Sequence, residues 1–371
     1  MSIVADPYDL FSKENGIMVL GDKYDRFVEA GEPEDYGEDT ANFKPRGRRS
    51  ERDTQIEIFD NDHSRTLSTN AGIRIKGMSS RWDLQKSFSV IFRRAYGGSY
   101  KESFTIDGLD LSLHSIALDK GGQDVGTKMK DTIMEACMQD SDCATTDRAP
   151  CSLFINGEYW GFYWLTQKYD NSYIADKYGV DINDVVYINI NEFDDFGGWN
   201  PDNMDMDSLI DCYAANVIIA HARDWPHYNF RVWKTAEDEG TKFGDGKMRP
   251  VVFDVNSASM EEYEYDLLGF MNDGFYPFMD ASQDEAFRKK VVERIDEMRA
   301  NEFEDGKILA MIDDLYDRIH DQMVLDHMRY TNCSEEESQK YFDDSVNVVR
   351  EFFKKHGEYL DKYEERYLNG K

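Results

Sequence analysis

Asp224-Trp-Pro-His-Tyr-Asn229 places a carboxylate and an amide five residues apart, and Phe253-Asp254-Val-Asn256 places a second carboxylate beside a second amide. These residue types suit work on phosphates. One carboxylate can orient an attacking hydroxyl, while an amide and another carboxylate hold a hard divalent cation against phosphate oxygens. Asp and Asn are also common turn residues, so the same spacing suits a polar loop that only caps a helix. The flanking segments give the pair a setting. The apolar run 209–221 reads as a buried helix leading into Asp224, and Val251-Val-Phe253 reads as a strand ending at Asp254.

A second group of candidates lies nearer the N-terminus. Residues 54–59 alternate polar and apolar side chains as a half-buried strand, and Asp60-Asn-Asp62 supplies a turn. Residues 72–77 repeat the alternation, with Arg74 and Lys76 on the face opposite the isoleucines. The small-residue loop Gly77-Met-Ser-Ser-Arg81 follows, then a third strand over 86–92. Four cations, Arg74, Lys76, Arg81 and Lys86, therefore surround Ser79 and Ser80. Backbone N–H groups in such a loop can bind phosphate oxygens, and a strand-borne lysine can neutralise them. The competing reading is a surface hairpin with solvated charges.

The chain's 371 residues suit two lobes or domains. With 40% hydrophobic and 13% aromatic residues it can bury a sizeable core. Its 43 basic against 74 acidic side chains give a formal charge of −31, which argues strongly against nucleic acid as a general partner and against an anionic membrane surface. Acidic excess suits work outside the cell without fixing the location. No run of about 18 apolar residues is present, so no membrane insertion is expected. The first residues lack the charged-then-apolar pattern of a secretory signal. Three of the five cysteines, Cys137, Cys143 and Cys151, lie within fifteen residues without a C-x-x-C, which leaves a disulfide among them open and gives no zinc signal. Cys212 reads as a buried thiol in the apolar helix.

In order, residues 1–50 read as an irregular extension carrying the basic cluster Arg46-Gly-Arg-Arg49. Residues 51–195 read as a β-rich N-lobe with inserted helices, and 196–371 as a mostly helical C-lobe, an α+β chain overall. Helical spacing covers 127–138 and 168–178, and Asn156-Gly157 between apolar runs marks a tight hairpin over 151–165. Residues 185–190 read as a strand, and the acidic, Gly-rich segment 191–207 as a hinge. Three amphipathic helices are expected over 285–299, 306–328 and 335–367.

Several of these segments, in order, resemble the CotH kinase family of spore-coat and secreted bacterial proteins. Gly72-Ile-Arg-Ile-Lys-Gly-Met-Ser-Ser-Arg81 resembles its I-R-I-x-G-x-S-S-R motif, and Lys86-Ser87 its following Lys-Ser. Lys120-Gly-Gly-Gln-Asp124 with Lys130-Asp131, Asn156-Gly-Glu-Tyr-Trp-Gly161, Asp224-Trp-Pro-His-Tyr-Asn229 and Phe253-Asp254-Val-Asn256 continue the match. The resemblance implies a divergent protein-kinase-like, two-lobed fold that binds ATP and Mg²⁺ (Mn²⁺ as an alternative) and phosphorylates Ser or Thr of a surface or secreted protein. It implies an extracellular, cell-surface or spore-coat setting, with the cytoplasm left open. Carried over, Asp224 is the base-like residue, Asn229, Asp254 and Asn256 the metal set, and Lys86 the nucleotide-phosphate lysine beside Arg74, Lys76, Ser79, Ser80 and Arg81.

The chain departs from the family at three points. Gln167 stands where the family has Glu, Asn256 where it often has Asp, and Ser257-Ala-Ser-Met260 where Phe-Gly often follows. Loss of two carboxylates points to an alternative, an inactive kinase fold that serves as an extracellular scaffold. Other chemistries have less behind them. The seven histidines show no ligand spacing, although His221 and His227 flank Asp224. No G-x-S-x-G occurs. No carboxylate pair stands out for glycoside hydrolysis. The aromatic run 159–164 suits a hairpin core better than a sugar platform.

Overall fold

Thr54, Ile56 and Ile58 are buried on one face of a strand that belongs to a closed barrel. The computed structural model describes residues 1–32, 37, 39–189, 192, 202–221, 224–226, 228–274 and 281–370. The chain is α+β, and its contacts divide it into two compact units that alternate along the sequence. Met1–Lys120, Arg148–Lys168 and Asp321–Ser338 form one unit. Gly121–Asp147, Tyr169–His320 and Gln339–Lys371 form the other.

In the first unit the barrel strands are β1 (Ser2–Ala5), β2 (Arg52–Phe59), β3 (Arg65–Ile75) and β4 (Phe88–Ile91). A separate hairpin, β5 (Glu102–Ile106) and β6 (Leu109–Leu113), precedes β7 (Ser115–Asp119), β8 (Arg148–Ile155) and β9 (Glu158–Gln167). The closed order is β1-β2-β3-β4-β7-β9-β8. Residues 1–50, expected to be irregular, instead supply β1 and the helices α1 (Pro7–Phe11) and α2 (Gly21–Glu29). β1 pairs antiparallel with β2 and parallel with β8, and so joins the two ends of the sheet. Ile3, Ile56, Ile73, Val90, Ile116 and Leu165 are among the apolar side chains that fill the interior. The β8–β9 turn forms where the sequence marks it. Asn156 and Gly157 take φ of 52° and 87°, the two left-handed positions of a tight hairpin turn. Asp326 then secures the barrel, its Oδ1 accepting from Phe162 N at 2.7 Å and Gln85 Nε2 at 2.9 Å.

The second unit contains α3 (Lys130–Cys137), α4 (Asn171–Tyr178) and α5 (Met206–Ile218), and the sheet β10 (Val185–Asn189), β11 (Arg231–Thr235), β12 (Arg249–Pro250). Later helices are α6 (Leu267–Gly274), α7 (Glu285–Ala300), α8 (Asp305–Thr331) and α9 (Glu335–Leu368), the last two running through both units. The strand expected over 251–253 is shorter and earlier. The ladder stops at Pro250; Val251 N still donates to Arg231 O at 2.9 Å, and Val251 forms an isolated bridge to Ala144. Three apolar residues signal burial, but a ladder needs a partner of equal length. Most of the expected hinge 191–207 lies outside the described residues.

The cysteines are free thiols. Cys151 belongs to a barrel strand, whereas the Cys143 thiol donates to Ser208 O at 3.2 Å and is hydrogen-bonded to Cys212. No described helix is long and apolar enough to cross a membrane.

Candidate functional site

The loop after α5 is fixed by an apolar plug. Trp225, 2% exposed, stacks on Tyr213 of α5 at 5.9 Å between centroids and meets Phe230 edge-on at 6.3 Å. Burying an aromatic of that size sets where the polar residues on either side emerge. Asp224 O accepts from Tyr228 N at 2.8 Å and Asn229 N at 3.1 Å, which curls the segment so that its two polar ends lie on one turn. Asn229 Nδ2 donates to Asp254 O at 3.1 Å, so the D-x4-N loop and the strand-end aspartate are joined directly.

Asp254 is exposed and left-handed, at φ 57° and ψ 50°. Val255 N donates to Asp131 Oδ1 at 2.7 Å, and Asn256 Nδ2 donates to Asp254 Oδ1 at 2.5 Å. Asn256 Oδ1 accepts from Gln123 N at 2.8 Å. Asn256 was expected as a metal ligand. Both ends of its amide are instead engaged within the protein, so its visible task is to hold the turn.

Behind this turn His221 is fully buried, with Nδ1 2.8 Å from Asn216 Oδ1 and Nε2 3.1 Å from Ser257 Oγ. Burial, assisted by the positive charge of Lys130, pushes its pKa down to about 3, so the ring is neutral at ordinary pH. It ties the end of α5 to the residues after Asp254. His227 lies outside the described residues. A crevice bordered by Asn229, Trp225, Asn216 and Val255 has room for little more than a water molecule.

Sequence reading missed the roles of three residues here. Asp131, quoted only within a motif, is 3% exposed and anchors the turn from the first turn of α3. Asp124 holds the start of that helix, with Oδ2 accepting from Met129 N at 2.9 Å and Lys130 N at 3.1 Å. Arg231 of β11 lies over the Phe253 ring at 4.5 Å. Burial lowers its pKa, and the negative charge of Asp254 is among the influences opposing that shift. An Arg in a strand gives no spacing signal, and only the fold reveals this neighbour.

In the first unit the expected phosphate-binding cations have partners of their own. Arg74 Nη1 lies 3.3 Å from Glu51 Oε1, and Lys76 Nζ 3.0 Å from Asp119 Oδ2. Arg81 is buried and donates to four carbonyls: Gly77 (2.6 Å), Phe43 (2.8 Å), Ile75 (2.8 Å) and Pro45 (3.2 Å). Burial, with the charges of Arg46 and Arg74, lowers its pKa to about 10. Lys86 Nζ donates to Arg81 O at 2.6 Å and Asp83 O at 3.0 Å, and sits 4.1 Å from the centre of the Phe43 ring. Its pKa is lowered by burial to about 8. Arg81 and Lys86 thus shape the 77–83 loop from within, a task different from the expected contact with phosphate. Ser79 and Ser80 lie in the short helical turn Ser79–Trp82, with Ser79 exposed. Gln167 is a buried residue of β9 opposite Ile116.

No curated protein gives a significant match to the chain. A family model described as CotH kinase protein matches residues 73–200 and 182–360, well over half the sequence. The D-x4-N loop, the strand-end aspartate and the 77–83 loop all fall inside those limits, and the chain belongs to the CotH kinase family.

Proposed function

We propose that the protein is an ATP- and Mg²⁺-dependent phosphotransferase that moves the γ-phosphoryl group to a Ser or Thr hydroxyl of a surface or secreted protein. The observation that carries this reading is the Asn229–Asp254 hydrogen bond, which joins the two motif segments of a kinase-family chain. The donor set suits a hard cation: the exposed Asp254 carboxylate and the Asn229 amide oxygen are oxygen ligands of the kind Mg²⁺ and Mn²⁺ accept. Among the described residues no group of three His, Cys, Asp or Glu could hold a metal alone. The remaining positions would fall to water and nucleotide phosphate oxygens, as Mg²⁺ sites commonly arrange. The bound cation would offset phosphate charge.

Asp224 then orients the acceptor hydroxyl and takes its proton, and Asn229 and Asp254 hold the cation; within the first unit, Lys76 and the Ser79–Ser80 turn are the candidates for phosphate contact in a kinase-like fold. Lys86 and Arg81 support that loop. A second reading, an inactive fold that acts as a surface scaffold, draws on Gln167 and on the engaged amide of Asn256.

Calorimetric titration with ATP, with and without Mg²⁺, separates the two. Micromolar, Mg²⁺-dependent binding that Asp254→Ala removes is the expected result. Absence of binding by folded wild-type protein would leave the scaffold as the better account.

A further inference from the structure

Arg231 opens β11 two residues after Asn229 and pairs across the ladder with Asn189, the last residue of β10. Asn189 Oδ1 accepts from Arg231 Nε at 3.0 Å. Glu192 sets the direction of that amide. Its Oε2 accepts from Asn189 N and Nδ2, each at 2.8 Å, which leaves Oδ1 as the end that meets the guanidinium. The guanidinium also lies over the ring of Phe253, the residue before Asp254, at 4.5 Å from its centre. Arg231 is therefore held through Nε and through one face of its plane. Neither contact uses Nη1 or Nη2.

Arg74, Arg249 and Arg294 each bond at least one carboxylate. Arg231 forms no ion pair among the described residues, although the chain carries a charge of −31, and its one side-chain acceptor is a neutral amide. A partly buried guanidinium loses hydration that an anion would offset. We propose that Arg231 is an anion-binding residue of this site, with Nη1 and Nη2 taking two oxygens of a phosphoryl group. The planar fork of a guanidinium matches such a pair of oxygens, which a lysine cannot meet in the same way. That this group is the one in transit from ATP rests on the phosphotransfer reading, and on that reading Arg231 is a catalytic residue that offsets charge on the phosphoryl oxygens. The anion site itself does not need that reading.

The probe is inorganic tripolyphosphate, titrated calorimetrically at fixed ionic strength in the presence of Mg²⁺. Arg231→Gln should weaken binding at least about tenfold, the scale of a lost charged hydrogen bond. Arg231→Lys should regain only part of that loss. Arg48→Gln removes an exposed arginine of the other unit and should bind as wild type does. Thermal melts establish that each variant is folded. If Arg231→Gln does not fold, Arg231→Lys carries the test with an expected loss of at least about threefold.

No binding of tripolyphosphate by wild type would overturn the proposal, as would wild-type affinity in Arg231→Gln. Full recovery by lysine would overturn the two-oxygen contact, and an equal loss in Arg48→Gln would mean that general charge attracts the anion. Wild-type protein that binds tripolyphosphate through Arg231 but transfers no label from ATP would count against phosphotransfer alone.

Discussion

Arg93 grips Glu51 with both arms of its guanidinium, Nε to Oε2 and Nη2 to Oε1, each at 3.1 Å. Tyr96 adds a 2.6 Å hydrogen bond and Arg74 a fourth contact at 3.3 Å. Burial works against the Glu51 charge, but the bonds from Arg93 and Tyr96 outweigh it and hold the carboxyl below its usual range. Because the folded pKa lies below the unfolded one, this stabilisation is complete above the unfolded value of 4.5 and is lost as pH falls through the folded value. Glu51→Gln should cost about 3 kcal/mol at pH 7, since two guanidinium groups lose their shared anion. Urea unfolding would measure it, and a change below about 0.5 kcal/mol would rule out a structural role for Arg74 through this carboxylate.

Arg81→Lys should be nearly as damaging as Arg81→Ala. A guanidinium reaches four carbonyls in fixed directions, and an ammonium cannot reproduce that fork. Both variants should lose about 3 kcal/mol in denaturant titrations, given a cost of about 1–3 kcal/mol for each buried acceptor left unmatched. Full stability of the lysine variant would mean that Arg81 is held for its charge, and would return it to the list of phosphate contacts.

His221 gives a prediction with a definite pH window. Its folded pKa is about 3, against an ordinary value of 6.5, so between those values the unfolded chain carries more protons. Stability contributed through this group therefore rises with pH from 3 to 6.5 and falls on acidification. His221→Gln should unfold more easily at pH 7, by about 1–2 kcal/mol for its lost bonds, yet lose less between pH 6.5 and 4.5. Unfolding curves at those two pH values decide it: parallel losses in both proteins would mean that the imidazole does not carry the acid sensitivity.

Asp224→Ala addresses the chemistry. If its carboxylate orients the acceptor hydroxyl, transfer of labelled phosphate should fall by about 10²–10⁴ while ATP affinity changes by less than about twofold. Equal loss of binding and transfer would move Asp224 from acceptor positioning to cation holding.

Local pattern revealed most of the architecture where one segment carried its own signal. Ile56 and Ile58 alternate with polar residues, Asn156-Gly157 demands a tight turn, and the three long helices beyond residue 284 have continuous amphipathic spacing. Other features depend on partners distant in sequence. β1 is four residues long and is a strand only because β2 and β8 flank it. Asp131 matters through Val255 and Asn256, more than a hundred positions later. For Arg81 and Lys86 residue type suggested anions, but burial supplied carbonyls instead. A cation's sequence context does not reveal which acceptor will reach it first.

Closing the barrel through β1 and β8 also sets a kinetic problem. The Met1 amine donates to Ser152 O, a contact 151 positions apart, and Asn156 N donates back to Ile3 O. During synthesis the first strands must wait, with edges unpaired, until β8 has emerged. By then Gly121–Asp147 of the other unit is already present. The closure entropy of so long a loop has to be met before the contacts that reward it form, so folding should be slow and dominated by late, non-local events. The waiting edges are open to pairing with other chains, which makes nascent and refolding molecules the stage most prone to aggregation. No single cut in the sequence would release the barrel whole, because its strands and the Asp326 segment that secures them come from three separate stretches.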